Sequence, residues 1–223
     1  MKKFIGFLSC MLMSCVFSVI AQTTSDDLSL EGFLFPKFEE SVVILKKGPA
    51  RLSAKLNYDL IDKRMVYLEE DGSAFELVAD VTSHVTINGR LFVPVGKSAF
   101  YERIILDNNE YYIDHKMRVL SKGKASGYGT YSQTSAASGF AVSTHFGRSY
   151  QFTPEELMEG IDESVIYIKT GGKKYQEIKS LKNLTKLFKS HQSEIEAYSK
   201  NNKINFRKLD EAKKIVEYAL SLK

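Results

Sequence analysis

Hydrophobic and polar residues alternate with a period of two through much of the stretch between residues 41 and 120. The alternation is clearest where Leu52, Leu56 and Tyr58 are separated by polar residues, and it predicts a strand with one solvated face. Other apolar runs are short and bounded by turn residues, which is typical of strands. The predicted strands cover residues 42–45, 52–58, 65–68, 74–81, 99–106 and 110–120, with two more inside 84–95.

A tight hairpin at residues 84–95 forms the predicted centre of this sheet, because Asn88-Gly89 is a strong signal for a two-residue turn. Both turn residues tolerate the positive φ that a type I′ turn requires. Such a turn pairs Val85 with Phe92 and leaves apolar residues on both faces of the hairpin. One face carries Val85, Ile87 and Phe92, and the other carries Leu91, Val93 and Val95. We therefore expect both faces to be covered.

Three further turn signals, at residues 71–72, 107–109 and 170–173, predict hairpins of the same kind. The last of these joins predicted strands at 165–168 and 175–178. No long helix separates the earlier strands, so antiparallel pairing is expected, because parallel pairing needs long crossover connections. The sequence thus predicts an α+β fold that is mainly antiparallel β. We expect a curved meander, a sandwich or a partial barrel, followed by a C-terminal helical element.

Helical signals are confined to the last third of the chain. Residues 153–156, Thr-Pro-Glu-Glu, match a capping box with proline at the first helical position, and Gly160 offers a stop, which together predict one short helix. Asn205 is the expected cap of the last helix. Three apolar stripes predict helices in the C-terminal element: Leu181, Leu184, Leu187 and Phe188; Ile195 and Tyr198; and Leu209, Ala212, Ile215, Val216 and Ala219. We expect these stripes to pack on one another and on the sheet, where they would cover the hairpin at 84–95 and explain why both of its faces are apolar.

The first 21 residues have the layout of a secretory signal peptide. Lys2 and Lys3 precede an apolar stretch, and Ala21 ends a cleavage-like site, so the mature chain is expected to begin at Gln22. An alternative is a lipoprotein anchored through Cys15, because residues 12–15, Leu-Met-Ser-Cys, resemble a lipobox. Both cysteines lie in this segment, so the mature chain has none. We expect an exported, secreted protein of the periplasm or cell envelope that does not span the membrane after cleavage.

Composition divides the mature chain into a lead-in at 22–40, an antiparallel β body at 41–178 and a helical element at 179–223. Residues 123–147 of the body are rich in Gly, Ser, Ala and Thr. One interpretation of this insertion is a flexible surface loop. The other is a binding loop whose aromatic residues become ordered on a ligand. Those aromatic residues are Tyr128, Tyr131, Phe140 and Phe146.

Charge is distributed unevenly along the mature chain. Residues 173–223 hold 13 Lys or Arg against 6 Asp or Glu, a formal charge of +7, whereas residues 22–172 have a formal charge of −5. The basic residues form either a solvated helical face or a surface for an anionic partner. Lys182, Lys186 and Lys189 are the candidate residues for such a surface. Nucleic acid is disfavoured as a partner by the export signal and by the lack of a nucleic-acid-binding motif.

Familiar catalytic motifs are missing from the sequence. It contains no G-x-S-x-G, no H-E-x-x-H and no phosphate-binding loop. Ser121 and Lys124 match the S-x-x-K pattern, but they lie at a strand end, where the lysine is not brought beside the serine. The four histidines have no metal-ligand spacing, so neither a metal site nor a cofactor is expected. No catalytic residue is assigned, and the sequence favours a protein without enzymatic activity.

Two groups of segments resemble those of exported, functionally uncharacterised bacterial envelope proteins. The first joins residues 56–59, Leu-Asn-Tyr-Asp, with residues 85–94 of the central hairpin. The second runs from residues 195–198 through 202–206 to 216–218. The resemblance covers the smaller part of the chain, and its motifs are structural. It implies a location in a Gram-negative envelope and carries over no catalytic or binding residue.

These observations favour a non-catalytic exported binding or assembly module of the bacterial cell envelope. Its expected partner is an envelope protein, a polysaccharide or an anionic surface. One alternative is a carrier of a small apolar ligand, which predicts an internal cavity. Another is an envelope hydrolase with an unrecognised site, which predicts a deep cleft where Asp114, His115, His145 or nearby carboxylates converge.

Overall fold

The computed structural model describes residues 32–47, 51–107, 109–125, 131–132, 156–170 and 174–222. The predicted signal peptide at 1–21, with Cys15, lies outside these residues, as does the first part of the lead-in. Thirteen strands occur in the described residues. In chain order they are β1 Glu39–Leu45, β2 Arg51–Asp59, β3 Arg64–Leu68, β4 Ala74–Glu76, β5 Thr82–Ile87, β6 Arg90–Val95, β7 Ala99–Leu106, β8 Asn109–Asp114, β9 Met117–Ala125, β10 Tyr131–Ser132, β11 Glu156–Asp162, β12 Val165–Thr170 and β13 Lys174–Ile178.

Ten of these strands form one antiparallel sheet in the order β13-β12-β8-β7-β6-β5-β1-β2-β3-β4. The sheet contains two meanders, β1–β4 and β5–β8. The pairing of β5 with β1 joins them edge to edge. The β12–β13 hairpin then adds to the free side of β8. A second sheet has three strands in the order β10-β9-β11. The predicted mainly antiparallel β fold with a C-terminal helical element is confirmed.

The predicted central hairpin is confirmed in turn and register. Asn88 and Gly89 have φ values of 48° and 77°, and Val85 pairs with Phe92. Val85, Ile87 and Phe92 on one face of the hairpin are fully buried, whereas Leu91, Val93 and Val95 on the opposite face of β6 are half-buried. The other three predicted hairpins also form, at β3–β4, β7–β8 and β12–β13.

The large sheet curls around its own hydrophobic side chains and remains open. Residues of β3 contact residues of β7 although four strands lie between them in the sheet. The rings of Tyr58 on β2 and Phe92 on β6 stack inside the curl, with their centroids 6.0 Å apart. We call this cluster the concave core; it comprises Phe35, Val43, Leu56, Tyr58, Leu60, Met65, Ala79, Val85, Ile87, Phe92 and Phe100.

The side chain of Asn57 holds residues 32–38 against the sheet. It is fully buried and accepts from Phe35 N at 3.1 Å while donating to Phe35 O at 2.9 Å. It also donates to Lys37 O at 3.2 Å and accepts from Tyr58 N at 2.8 Å. One asparagine thus satisfies four backbone groups.

Three helices cover the β8–β12–β13 end of the sheet: α1 Leu181–Leu187, α2 Gln192–Asn201 and α3 Leu209–Ser221. The three predicted apolar stripes are confirmed, and with side chains such as Tyr111, Ile113 and Ile166 they form a second core, the helix-side core. The expectation that the helices cover the central hairpin is wrong. They begin directly after β13 and therefore pack on the strands beside it.

The predicted cap of the last helix is also wrong. The N-cap position is Lys208, and its side chain makes no capping hydrogen bond. Asn205 instead accepts from Arg207 N at 3.0 Å, in the turn before the helix.

The short helix predicted from the capping box is wrong as well, because residues 156–160 belong to strand β11. Thr153 and its two successors lie outside the described residues. β11 pairs with β9 over most of its length, so the hydrogen bonds of that pairing override the local helical signal. Gly160 does not end a helix. It lets the side chain of Met117 pack directly against the backbone of β11, because a Cβ at residue 160 would lie 2.6 Å from Met117 Sδ.

The strand predicted at 110–120 is divided into two. β8 ends at Asp114, and β9 begins at Met117 in the smaller sheet. Met117 N donates to Leu60 O at 2.9 Å, so the chain crosses to the β2–β3 turn at this point.

Candidate functional site

The aromatic residues proposed for the 123–147 loop fall almost entirely outside the described residues. This is true of Tyr128, Phe140 and Phe146. Tyr131 begins strand β10 and pairs with Ala125 of β9, but its side chain is not among the described ones. The binding role of these four residues stays a prediction.

The three candidate lysines are exposed and lie close in sequence on and after α1. Lys182 and Lys186 are one helical turn apart on α1, and Lys189 follows in a short 3₁₀ helix, Lys189–His191. Among the described residues, none of the three forms a salt bridge. We call them the basic face. Its role in binding stays a prediction.

A group of tyrosines that the sequence analysis did not single out lies on the opposite side of the sheet from both cores. It comprises Tyr101 on β7, Tyr112 on β8, Tyr167 on β12 and Tyr175 on β13. Tyr112 pairs directly with Tyr167, and alternation along each strand places the other two rings on the same side. We call this surface the tyrosine face.

The four rings pack around Tyr175. Its ring is nearly perpendicular to those of Tyr112 and Tyr101, with centroid distances of 5.0 and 5.8 Å. The rings of Tyr101 and Tyr167 stack at 5.2 Å with an interplanar angle of 15°. These geometries are favourable for aromatic pairs. Tyr112 is buried, whereas the other three rings are half-buried and form the accessible part of the tyrosine face.

Charged residues of both signs border the tyrosine face. The Tyr112 hydroxyl donates to Glu110 Oε1 at 2.6 Å, and Arg103 Nε donates to Glu110 Oε2 at 2.7 Å. On the neighbouring strand, Lys179 Nζ lies 2.8 Å from Glu177 Oε1. The border therefore has paired cations and carboxylates, together with one further exposed cation, Lys169 on β12, which pairs in register with Tyr175.

Burial raises the pKa of the tyrosines well above its ordinary value of 10. For Tyr101, the nearby carboxylate of Asp114 adds to the effect of burial. For Tyr112, the hydrogen bond to Glu110 adds to it. The hydroxyl groups therefore stay protonated at neutral pH, so the tyrosine face presents neutral phenols.

Asp114 lies at the end of β8, two residues after Tyr112 and on the same side of the sheet. It is 4% exposed, and its Oδ2 lies 3.5 Å from Lys63 Nζ. Its Oδ1 is buried without a hydrogen-bond partner in the described part of the chain, and so is the hydroxyl of Tyr58. Burial, followed by the charge of Asp114, raises the pKa of Tyr58. Asp114 therefore presents one orphaned carboxylate oxygen at an edge of the tyrosine face, whereas the ring of Tyr58 lies in the concave core.

A second polar cluster is buried between the two cores. Arg90 donates to both oxygens of Glu102 at 2.6 Å, and His115 Nε2 lies 2.6 Å from Glu102 Oε2. Burial raises the pKa of Glu102, but the hydrogen bonds of Arg90 and His115 more than offset this and lower it to about 2. The carboxylate only accepts, so His115 Nε2 is the donor, and its 3.0 Å contact with Arg90 Nη2 joins two donors.

This arrangement does not match the cleft that the hydrolase alternative predicts. His115 and Glu102 are within hydrogen-bond reach, but both are buried in the interior. Asp114 precedes His115 in the chain and lies at the edge of the tyrosine face, away from Glu102. His145 lies outside the described residues.

The concave side of the sheet is filled by its own side chains. Tyr58, Phe92 and Phe100 are each 0% exposed there. A solvent-open groove of about 820 Å³ lies elsewhere, along β2 and the β3–β4 turn, and is lined by carboxylates such as Glu69 and Glu70. In the described part of the chain, no group of three His, Cys, Asp or Glu residues is arranged to hold a metal ion.

Comparison with protein-family models, with curated proteins and with solved structures finds no match to this chain. Within the ranges that the structure describes, no helix has the length and apolar character needed to cross a membrane. The fold and the tyrosine face are therefore the basis for a functional proposal.

Proposed function

We propose that this chain is an exported, non-catalytic binding module of the bacterial cell envelope that binds its ligand on the tyrosine face. The export signal and the missing catalytic motifs support the general class. The single observation that supports the site is the group of four tyrosines on one side of β7, β8, β12 and β13.

Tyrosine is well suited to this role. Its ring offers a large apolar surface, its hydroxyl offers a hydrogen bond, and few side-chain rotations are lost when it is immobilised by a ligand. Three of the four rings are half-buried, so their orientation is fixed by their neighbours before a ligand arrives. Such preorganisation reduces the entropy lost on binding.

The basic face supports a second contact, with an anionic surface of the envelope. Its three lysines are exposed and carry the same charge, without compensating acids among the described residues. This contact is separate from the tyrosine face, because α1 packs on the other side of the sheet.

The other two alternatives have less support. A carrier needs an internal cavity, and the concave side is occupied by packed aromatic and aliphatic residues. A hydrolase needs a reactive group in a cleft, and the Glu102–His115 pair is buried between two cores.

The test is binding of the mature chain, residues 22–223, to a washed envelope fraction in a sedimentation assay. Tyr101→Thr and Tyr167→Thr each remove an accessible ring while keeping a residue that suits strands. We expect each to weaken binding by about tenfold, the effect of an interface anchor worth ~1.4 kcal/mol.

The matched control is Tyr198→Ala, which also removes one ring of a stacked pair. Tyr198 and Tyr218 stack at 4.1 Å in the helical element, away from the tyrosine face. The control should bind like the parent chain. Equal losses in all three variants, or no loss in the two variants of the face, would overturn the proposed site.

A further inference from the structure

We infer that the ligand of the tyrosine face is a polyhydroxylated saccharide, and that the carboxylate of Asp114 accepts hydrogen bonds from its hydroxyl groups. This inference rests on the proposed function, because it names the ligand class of the same site.

The starting observation is the incomplete hydrogen bonding of Asp114. The residue is 4% exposed, yet its Oδ1 has no hydrogen-bond partner in the described ranges. Buried polar groups in native proteins are nearly always paired, so an orphaned carboxylate oxygen requires an explanation. A ligand that supplies donors at this edge would satisfy the carboxylate.

The carboxylate borders the accessible rings. Asp114 follows Tyr112 by two residues on β8, so both side chains leave the same face of the sheet. Its charge raises the pKa of both Tyr101 and Tyr167, which places it near the two rings that stack on each other. A ligand lying on these rings would have its edge at Asp114.

A sugar ring matches this combination of surfaces. Its C–H groups form an apolar face that packs on an aromatic ring, and its hydroxyls at the edge donate hydrogen bonds. A carboxylate is a strong acceptor for such donors, because its hydrogen bonds are charge-assisted. At the border Arg103 is paired with Glu110 and Lys179 with Glu177, and Lys169 is one further exposed cation. The border therefore has no cluster of like charges that would favour an ionic ligand.

Lys63 controls access to the carboxylate. Its ammonium lies 3.5 Å from Asp114 Oδ2, and its side chain is 41% exposed in the β2–β3 turn. A ligand hydroxyl reaches Asp114 by displacing this ammonium and donating to the carboxylate in its place.

The ligand class is tested with the same envelope fraction after three treatments. Periodate cleaves the carbon–carbon bond of vicinal diols, a protease removes proteins, and a mock treatment changes neither. We expect periodate to abolish binding of the parent chain and the protease to leave it unchanged. Loss after protease alone would overturn the saccharide and leave a protein partner on the tyrosine face. Absence of binding to the mock-treated fraction would overturn both this inference and the proposed function.

The role of Asp114 is tested with Asp114→Asn, which keeps the shape and removes the charge. We expect about a tenfold loss of binding to the protease-treated fraction, with an unchanged thermal midpoint to establish folding. Lys63→Ala removes the same ion pair from the other side and should bind at least as tightly as the parent. Unchanged binding by Asp114→Asn, or equal losses in both variants, would overturn the role of the carboxylate.

Discussion

Arg90 donates two parallel hydrogen bonds to Glu102, each 2.6 Å long, and this ion pair lies between the two hydrophobic cores. The pairing register explains this position. Phe92 of the concave core pairs with Glu102, and Glu102 pairs with Ile113 of the helix-side core, so one continuous face of the sheet carries both cores with the carboxylate between them. The Arg90 guanidinium also lies 5.2 Å from the ring centroid of Phe35. We infer that this ion pair joins the two halves of the fold.

Replacing the carboxylate should therefore destabilise the whole domain. Glu102→Gln leaves Arg90 without its charge partner, and breaking a buried ion pair in this way costs about 3 kcal/mol. Urea unfolding at pH 7 measures the loss. A variant within about 0.5 kcal/mol of the parent, the range of ordinary surface substitutions, would show that the ion pair does not join the cores.

The same ion pair makes stability depend on pH. The pKa of Glu102 is lowered from 4.5 to about 2 in the folded chain, so the unfolded chain binds the proton more readily. The stabilisation is complete above pH 4.5 and is lost as the pH falls towards 2. Urea unfolding between pH 2 and 7 should show a steeper loss in the parent than in Glu102→Gln. Identical pH profiles would contradict the assignment.

Asn57 should be equally difficult to replace. Asn57→Ala leaves the backbone groups of Phe35 without their side-chain partners in a buried place, and each unsatisfied group costs about 1–3 kcal/mol. We expect a loss of ~3 kcal/mol in urea unfolding and faster hydrogen exchange at the Phe35 amide. Asn205→Ala is the control, because that side chain lies on an exposed turn. Similar small effects for both variants would contradict the anchoring role.

The basic face predicts salt-dependent association with anionic membranes. Reversing its charge in the triple variant Lys182→Glu, Lys186→Glu, Lys189→Glu should abolish sedimentation with phosphatidylglycerol vesicles at low salt, since each lysine near such a surface contributes ~1 kcal/mol. The control reverses three exposed lysines outside the helical element: Lys55 on β2, and Lys47 and Lys97 in the turns that follow β1 and β6. Both triple variants change the net charge equally, so equal losses would show an effect of net charge rather than of this face.

Local sequence signals were sufficient for most strands of the large sheet and for its four predicted hairpins. Asn88-Gly89 determines both the turn and the register of its hairpin, because only a two-residue type I′ turn fits the flanking strands. The helical stripes were equally clear. What local signals could not supply was the order of distant strands. The pairing of β12 with β8 crosses some fifty residues of chain, and it decides where the helices pack. At residues 156–160, pairing with β9 also overrode the helical signal of the capping box.

The tyrosine face could not be predicted from the sequence either, because it depends on the order of distant strands. Tyr101, Tyr112, Tyr167 and Tyr175 are visible as strand residues in the sequence, but they become neighbours only when β12 and β13 join β8. The alternation of side chains along each strand was the only available signal. It shows that one tyrosine of each strand lies on the face opposite that strand's core residues. The sequence drew attention to Asp114 only as a candidate of the hydrolase alternative, and its missing hydrogen bond gave no signal because it is a property of the folded chain.

The central claim is that the ligand lies on the tyrosine face, and ¹⁹F NMR of chain labelled with 3-fluorotyrosine tests it most directly. The chain has twelve tyrosines, whose resonances are assigned by single Tyr→Phe substitutions. On addition of solubilised, size-fractionated envelope polysaccharide, we expect the resonances of Tyr101, Tyr167 and Tyr175 to shift while those of Tyr198 and Tyr218 stay in place. Shifts confined to Tyr128 and Tyr131 would move the site to the 123–147 loop and contradict the account, as would a spectrum that does not change.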